Sequence, residues 1–211
     1  MTKYKCTTRY LAGSCSKSMF LCCMLISLGL FTYPAHAEES KDHKFEDIKV
    51  AYLVNFMRLT VWPDLNQENP DKPLQITVIS DKDFYQLLAS AFPKSKFQDR
   101  KVNITHWRKL DLQENQLSKE STQIIKQSHL VYLSHGSLSD LQTIQKVSAR
   151  PSYLLIGDMP KFAEYGGMIG LEKRQSGIAF TVNIKAIRQA DLFISSKVLR
   201  LGTPVTPIDS P

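Results

Sequence analysis

Cysteine is scarce in this 211-residue chain and confined to its start, with four residues at positions 6, 15, 22 and 23 and none later. From Glu38 onward the chain therefore has neither disulfide nor thiolate metal site available to it. No G-x-S-x-G motif is present, which argues against an α/β-hydrolase nucleophile elbow. No G-x-G-x-x-G and no Walker A sequence is present either. Gly166-Gly167 followed by Gly170 leads into an expected strand instead of a helix, so these glycines are read as a sharp turn of the backbone. The later histidines, His43, His106, His129 and His135, show no H-x3-H spacing, and no metal or other cofactor is expected. Strong charge of one sign is also missing. The net charge of +7 includes Lys3, Lys5, Arg9 and Lys17; from Glu38 onward 23 basic residues face 20 acidic ones, a net of +3. A nucleic-acid partner has little support from that balance.

Long apolar runs are limited to Met19–Phe31. That is short for a membrane helix, which needs roughly 17–25 residues. Basic residues precede it and Ala35-His36-Ala37 follows, a small-x-small cleavage pattern. Residues 1–37 are expected to be a secretory signal cleaved after Ala37, with an uncleaved anchor as the alternative. Cys22 and Cys23 lie inside the run, unlike a lipoprotein cysteine. Export places residues 38–211 in the periplasm as one domain, long enough for a sizeable core without disulfides.

Glu38 to Lys44 is polar and reads as a frayed leader. Phe45 to Trp62 reads as a helix ended by Pro63, with Ile48, Tyr52, Phe56 and Leu59 on one stripe and Val50, Leu53, Val54, Met57 and Val61 on another. So apolar a helix is either buried between other elements or presents its outer stripe to a partner or a second copy. Strands are expected at Leu74–Ser80, Lys101–Leu110, Leu130–Leu133 and Tyr153–Ile156. Helices are expected at Phe84–Phe92, stopped by Pro93, and at Leu138–Val147, capped by Ser137 or Ser139. Asp111–Ser121 reads as polar linker and Thr122–Gln127 as a short helical turn. Met168–Lys173 and Ile178–Val182 form a hairpin through Gly177. Asn183 caps a helix to Ala190, and Ser195 caps another whose face carries Ile194, Val198 and Leu201. The fold class is α/β: a single compact domain with a mixed, mostly parallel sheet flanked by helices, a C-terminal β-hairpin and two short helices.

Ligands of open α/β sheets sit at the carboxyl ends of the strands. Three loops qualify: Ser80–Asp83, Ser134–Ser137 and Gly157–Pro160. His135 with Asp81 or Asp158 makes an acid/base pair if the loops converge, as an envelope hydrolase requires; otherwise these residues cap helices. Trp62, Phe162 and Tyr165 form a binding surface or plug the sheet ends. His106 beside Trp107 lines a groove or simply sits on a half-exposed strand. Ser195-Ser196 holds an anion or, more simply, caps its helix.

Three blocks carry a resemblance: KVAYLVNFMRLTVWP (49–63), LLIGDMPKFAEYGGMIG (154–170) and FTVNIKAIRQADLFISSKVLRL (180–201). Together they resemble the YfiR-like periplasmic proteins over nearly the whole exported chain. The resemblance implies a compact α/β domain without enzymatic activity. It implies a repressor acting on the periplasmic sensor region of an inner-membrane diguanylate cyclase, and so on biofilm regulation. It also implies sequestration by an outer-membrane-associated lipoprotein, and homodimers. Some relatives carry redox-sensitive cysteine pairs in the exported domain; this chain lacks them, so redox gating is not carried over. Tyr52, Phe56, Trp62, Asp158, Phe162, Glu164, Tyr165 and Arg200 are the expected partner-contact residues. The alternative is a periplasmic small-molecule-binding sensor subunit, with its pocket near Asp158 and Tyr165.

Overall fold

The computed structural model describes residues 36–208 except 64, 66–70, 93–96, 115 and 176, and side chains from His43 onward. The expected signal run Met19–Phe31 and Pro93 lie outside the described residues. The first helix, α1 (His36–Arg58), starts well before Phe45. Ala, Glu and Lys in its polar first half favour helix, so no frayed leader separates it from the apolar part. It also ends at Arg58, short of Trp62. The Thr60 hydroxyl donates back to the Phe56 carbonyl, and β-branched Thr60 and Val61 leave the helix to form β1 (Thr60–Val61).

The chain continues through β2 (Leu74–Ile79), α2 (Lys82–Ala91) and β3 (Val102–Trp107). A small ribbon of β4 (Leu112–Gln113) and β5 (Gln116–Leu117) replaces the expected linker, and α3 (Lys119–Gln127) comes next. Ser118 caps α3 by accepting the Ser121 N–H, which starts that helix earlier than Thr122. Then come β6 (Leu130–Leu133), α4 (Leu138–Gln145), β7 (Leu154–Gly157), β8 (Ile169–Arg174) and β9 (Gly177–Val182). The chain closes with α5 (Ile184–Gln189), β10 (Phe193–Ile194), α6 (Ser196–Leu201) and β11 (Thr203–Pro204). Ser137 and Asp140 form a capping box on α4, Asn183 caps α5 and Ser195 caps α6.

Seven strands make one sheet in the order β11-β9-β8-β7-β6-β2-β3. The run β8-β7-β6-β2-β3 is parallel throughout; β9 returns antiparallel to β8, and β11 lies parallel to β9. The sheet is therefore mixed and mostly parallel, with helices on both faces, and residues 41–211 form one compact unit. Tyr132 on β6 packs against Phe84 of α2 and bonds to the site reached by α1, so α1 and α2 share that face. The opposite face receives α3, whose Ile124 carbonyl accepts from Ser128 beside Thr77, and α4, whose Ile144 carbonyl accepts from Tyr153. Neighbouring strands in parallel register thus send alternate residues to two dry layers, which is why β6 and β7 are apolar runs without alternation.

The buried stripe of α1 consists of Val50, Leu53, Phe56 and Met57. Burial between elements is thus the main reason for its apolar character. Val61 departs from that stripe and is 62% exposed beside Phe193, its cross-strand partner at 67%. Leu201, expected on a buried face with Val198, is instead 80% exposed, because the six-residue α6 buries only Val198.

Candidate functional site

Two of the three strand-end loops converge. Ser134 and His135 follow β6, Asp158 follows β7, and these strands are neighbours. The first loop stays apart: Asp81 caps α2 through the Phe84 N–H, and the Ser80 carbonyl faces His106 Nε2 at 3.0 Å. His106 in turn stacks on Tyr85.

Asp158 is the centre of the cluster. Its Oδ2 accepts from Lys49 Nζ at 2.8 Å, from the Tyr132 hydroxyl at 3.0 Å and from Ser134 Oγ at 3.2 Å. Its Oδ1 accepts the His135 backbone N–H at 2.6 Å. The Asp158 side chain is only 5% exposed, and that of Lys49 10%. Lys49 also donates to Glu46 Oε1 at 2.8 Å, one turn earlier on α1. Burial pushes the Asp158 carboxyl up, but the Lys49 charge and the bonds from Lys49 and His135 outweigh it and hold the group below its ordinary value. Burial likewise pulls the Lys49 ammonium down, and Asp158 and Glu46 more than reverse this, leaving it raised. Tyr132 is driven well up by burial and by the adjacent Asp158 charge, so its phenol stays protonated as a donor.

His135 and Asp158 are brought together, but not as a base and its orienting acid. The contact to Asp158 uses the His135 main chain, and its Nδ1 lies 2.8 Å from Ser134 Oγ. Ser134 stands between imidazole and carboxylate. Because its proton goes to Asp158, its oxygen accepts from the imidazole and gains no base, whereas nucleophile activation needs the imidazole in the middle. His135 holds φ = 51°, a left-handed backbone that turns its N–H onto Asp158. Among the described residues no group of His, Cys, Asp and Glu is placed to hold a metal ion.

Several expected contact residues belong to the core. Phe56 packs edge-on to Phe180. Trp62 is buried and its Nε1–H donates to the His129 carbonyl. Phe162 is fully buried, and its ring fills the space where Gly157 and Gly167 lack a Cβ. These three correct the expectation of a contact surface: their side chains are not accessible on the folded domain. Tyr52 is half-buried, with its hydroxyl on the Ile178 carbonyl. Glu164 and Tyr165 are half-buried in the β7–β8 connection and Arg200 is exposed on α6. Asp158 lies apart from them as the hub of the polar cluster.

Lys49, Glu46 and Tyr132 were absent from the sequence-derived candidates. One signal was available: Lys49 shares the buried spacing of Leu53 and Phe56, and a lysine on a dry helix face needs a carboxylate. Beside the cluster lies a cavity of about 350 Å³ between α1, the two loops and the β8–β9 hairpin.

A family model described as YfiR/HmsC-like matches residues 46–203. No curated protein matches the chain in sequence. Among solved structures, a conserved domain protein from Vibrio cholerae O1 biovar El Tor is similar in fold, with a TM-score of 0.51 at 13% identity. The match covers 75% of this chain and 59% of that one. No helix among the described residues is long and apolar enough to cross a membrane.

Proposed function

Because the chain belongs to the YfiR/HmsC-like family of periplasmic regulators, we propose that it is a non-enzymatic regulator that binds the periplasmic sensor region of an inner-membrane signalling protein. Its action is to repress a diguanylate cyclase and so lower cyclic di-GMP. The observation that carries this reading is the family match across residues 46–203, which runs from Glu46 in α1 to Thr203 at the start of β11. The Ser134–His135–Asp158 geometry supports a regulator over a hydrolase, since it spends its hydrogen bonds on fixing Asp158.

Export by a cleaved signal over residues 1–37 belongs to the same proposal. So do homodimerisation and sequestration by an outer-membrane-associated lipoprotein. Of the expected contact residues, Tyr52, Glu164, Tyr165 and Arg200 keep accessible surface to carry the receptor contact. Repression works by binding one conformational state of the receptor, and moving it from mostly active to mostly silent takes about 5.5 kcal/mol of differential affinity.

The test is intracellular cyclic di-GMP in a strain lacking the chain, compared with strains expressing it with or without residues 1–37. Deletion raises the nucleotide and only the form with the leader restores it. Unchanged levels across growth conditions overturn the cyclase assignment. Charge reversal at Glu164 or Arg200 that leaves repression intact removes that residue from the contact.

A further inference from the structure

β3 is the outer strand of the seven-stranded sheet beyond β2, and it is six residues long, whereas β11 at the other edge has two. Every residue of β3 keeps accessible surface, while β6 and β7 are buried throughout. The ladder to β2 fixes which main-chain groups are taken. The Leu74 N–H donates to the Lys101 carbonyl and the Ser80 N–H to the Trp107 carbonyl, and the pairing stays in step between them. Lys101, Asn103, Thr105 and Trp107 therefore turn their main chain to β2, and Val102, Ile104 and His106 turn theirs outward. No main-chain partner meets these three on the outer side among the described residues. A row of open N–H and C=O groups is a template for one more strand.

Side chains set what that strand carries. Val102 and Ile104 are half-buried against the core, on the side of the sheet where His106 stacks on Tyr85 of α2. A strand with an apolar residue at every second position extends that layer. Charge sets its ends. Lys101 is exposed at one end of β3, and Arg108 and Lys109 at the other. None of the three has a carboxylate partner among the described residues. Of the nearby acids, Asp81 caps α2, Asp111 faces the Ser121 hydroxyl, and Asp99 is exposed in the turn before Arg100. A second copy is a poor match. Two copies aligned antiparallel about Ile104 set Arg100 against Arg108, and aligned about Thr105 they set Lys101 against Lys109. We propose that the open edge of β3 receives an extended segment of a partner protein as an added strand, apolar at alternate positions and acidic at both ends. The inference rests on the regulator reading for the existence of a protein partner, and its test is made on the purified chain.

The probe is a nine-residue peptide of alternating threonine and valine with an aspartate at each end, titrated by calorimetry and followed by amide hydrogen exchange. The peptide binds, and the Val102, Ile104 and His106 amides exchange more slowly in the complex, while those of Asn103 and Thr105, already bonded to β2, change little. Lysine in place of both aspartates weakens binding about tenfold. Proline in place of the valines abolishes it, because that peptide keeps the charge but cannot build a ladder. Lys101→Glu/Arg108→Glu reverses the preference toward the lysine peptide, whereas Lys185→Glu/Arg188→Glu on α5 leaves it unchanged. Ile104→Pro removes one outward N–H and none from the β2 ladder, and it weakens the peptide about tenfold. Ile104→Val keeps that N–H and binds as the native chain does. Equal binding of the aspartate and lysine peptides, binding of the proline peptide, or protection that arises away from β3 overturns the proposal. So does a concentration-dependent dimer that Ile104→Pro abolishes, which assigns the edge to a second copy. Should Ile104→Pro fail to fold, the charge swap and the exchange pattern of the native chain decide the question. Failed peptide binding leaves the cyclic di-GMP result untouched, and unchanged cyclic di-GMP leaves the peptide result untouched.

Discussion

Lys49 Nζ lies 2.8 Å from Asp158 Oδ2 although the two residues are 109 positions apart in the chain. The pair fastens the first helix to the end of a central strand, and both side chains are largely out of water. Its importance lies less in net attraction than in the uncompensated charge that stays buried when one partner is lost.

Asp158→Ala leaves Lys49 with Glu46 alone and strips the acceptor from three further donors. We expect a loss of about 3–4 kcal/mol in urea unfolding. Lys49→Met leaves Asp158 and Glu46 without their shared cation and costs at least as much, about 3–5 kcal/mol. The double variant Lys49→Met/Asp158→Leu is less destabilised than the sum of the singles. A cost below about 1 kcal/mol for Asp158→Ala refutes the role of the hub.

The pH dependence has two limbs. The folded-state value of Asp158 lies below its ordinary 3.8, so its contribution is complete above 3.8 and is lost as pH falls through the lower folded value. The folded-state value of Lys49 lies above its ordinary 10.5, so its contribution is complete below 10.5 and is lost as pH rises through the higher one. Subtracting the stability profile of Asp158→Asn from that of the native chain isolates both limbs. A difference that is flat from strongly acid to strongly alkaline pH contradicts the assignment.

Tyr132→Phe removes one hydroxyl donor while Asp158 keeps Lys49, Ser134 and His135. The expected cost is about 0.5–1.5 kcal/mol. The acid limb also moves toward higher pH, since the ionised carboxylate has lost a donor. Denaturation at neutral and acid pH reads both effects.

Gly157→Ala and Gly167→Ala each drive a new Cβ into the Phe162 ring. About 1–3 kcal/mol of overpacking is expected from either. Combining either with Phe162→Leu recovers part of the loss, because the smaller side chain vacates the overlap. Purely additive losses show that the ring is not what forbids a Cβ there.

The sheet was legible because its strands are β-branched runs bounded by Gly, Pro and Ser, and alternation with helices implies parallel neighbours. Caps at Ser137, Asn183 and Ser195 come from side-chain chemistry a few residues long. What escaped depends on distant partners. Thr60 and Val61 read as the end of a helix until Phe193 and Ile194 pair with them. Phe56, Trp62 and Phe162 read as surface or core alike, since an aromatic beside a loop carries no mark of the direction it faces. The Asp158 hub was half visible: its loop was expected at the carboxyl edge, but Lys49 and Tyr132 arrive from elements far away in sequence.

The same segment that grips Asp158 through Lys49 ends in Trp62, whose indole N–H holds the His129 carbonyl. His129 precedes β6 whereas Asp158 follows the parallel β7, so these anchors stand at opposite ends of the central strands. Residues 49–62 are therefore pinned at both ends like a beam across the strands. Peeling from either end must first break a buried anchor, which makes stepwise fraying unfavourable. The amide hydrogens of α1 beyond Lys49 should exchange with solvent as slowly as those of β6 and β7, by a shared opening of helix and sheet.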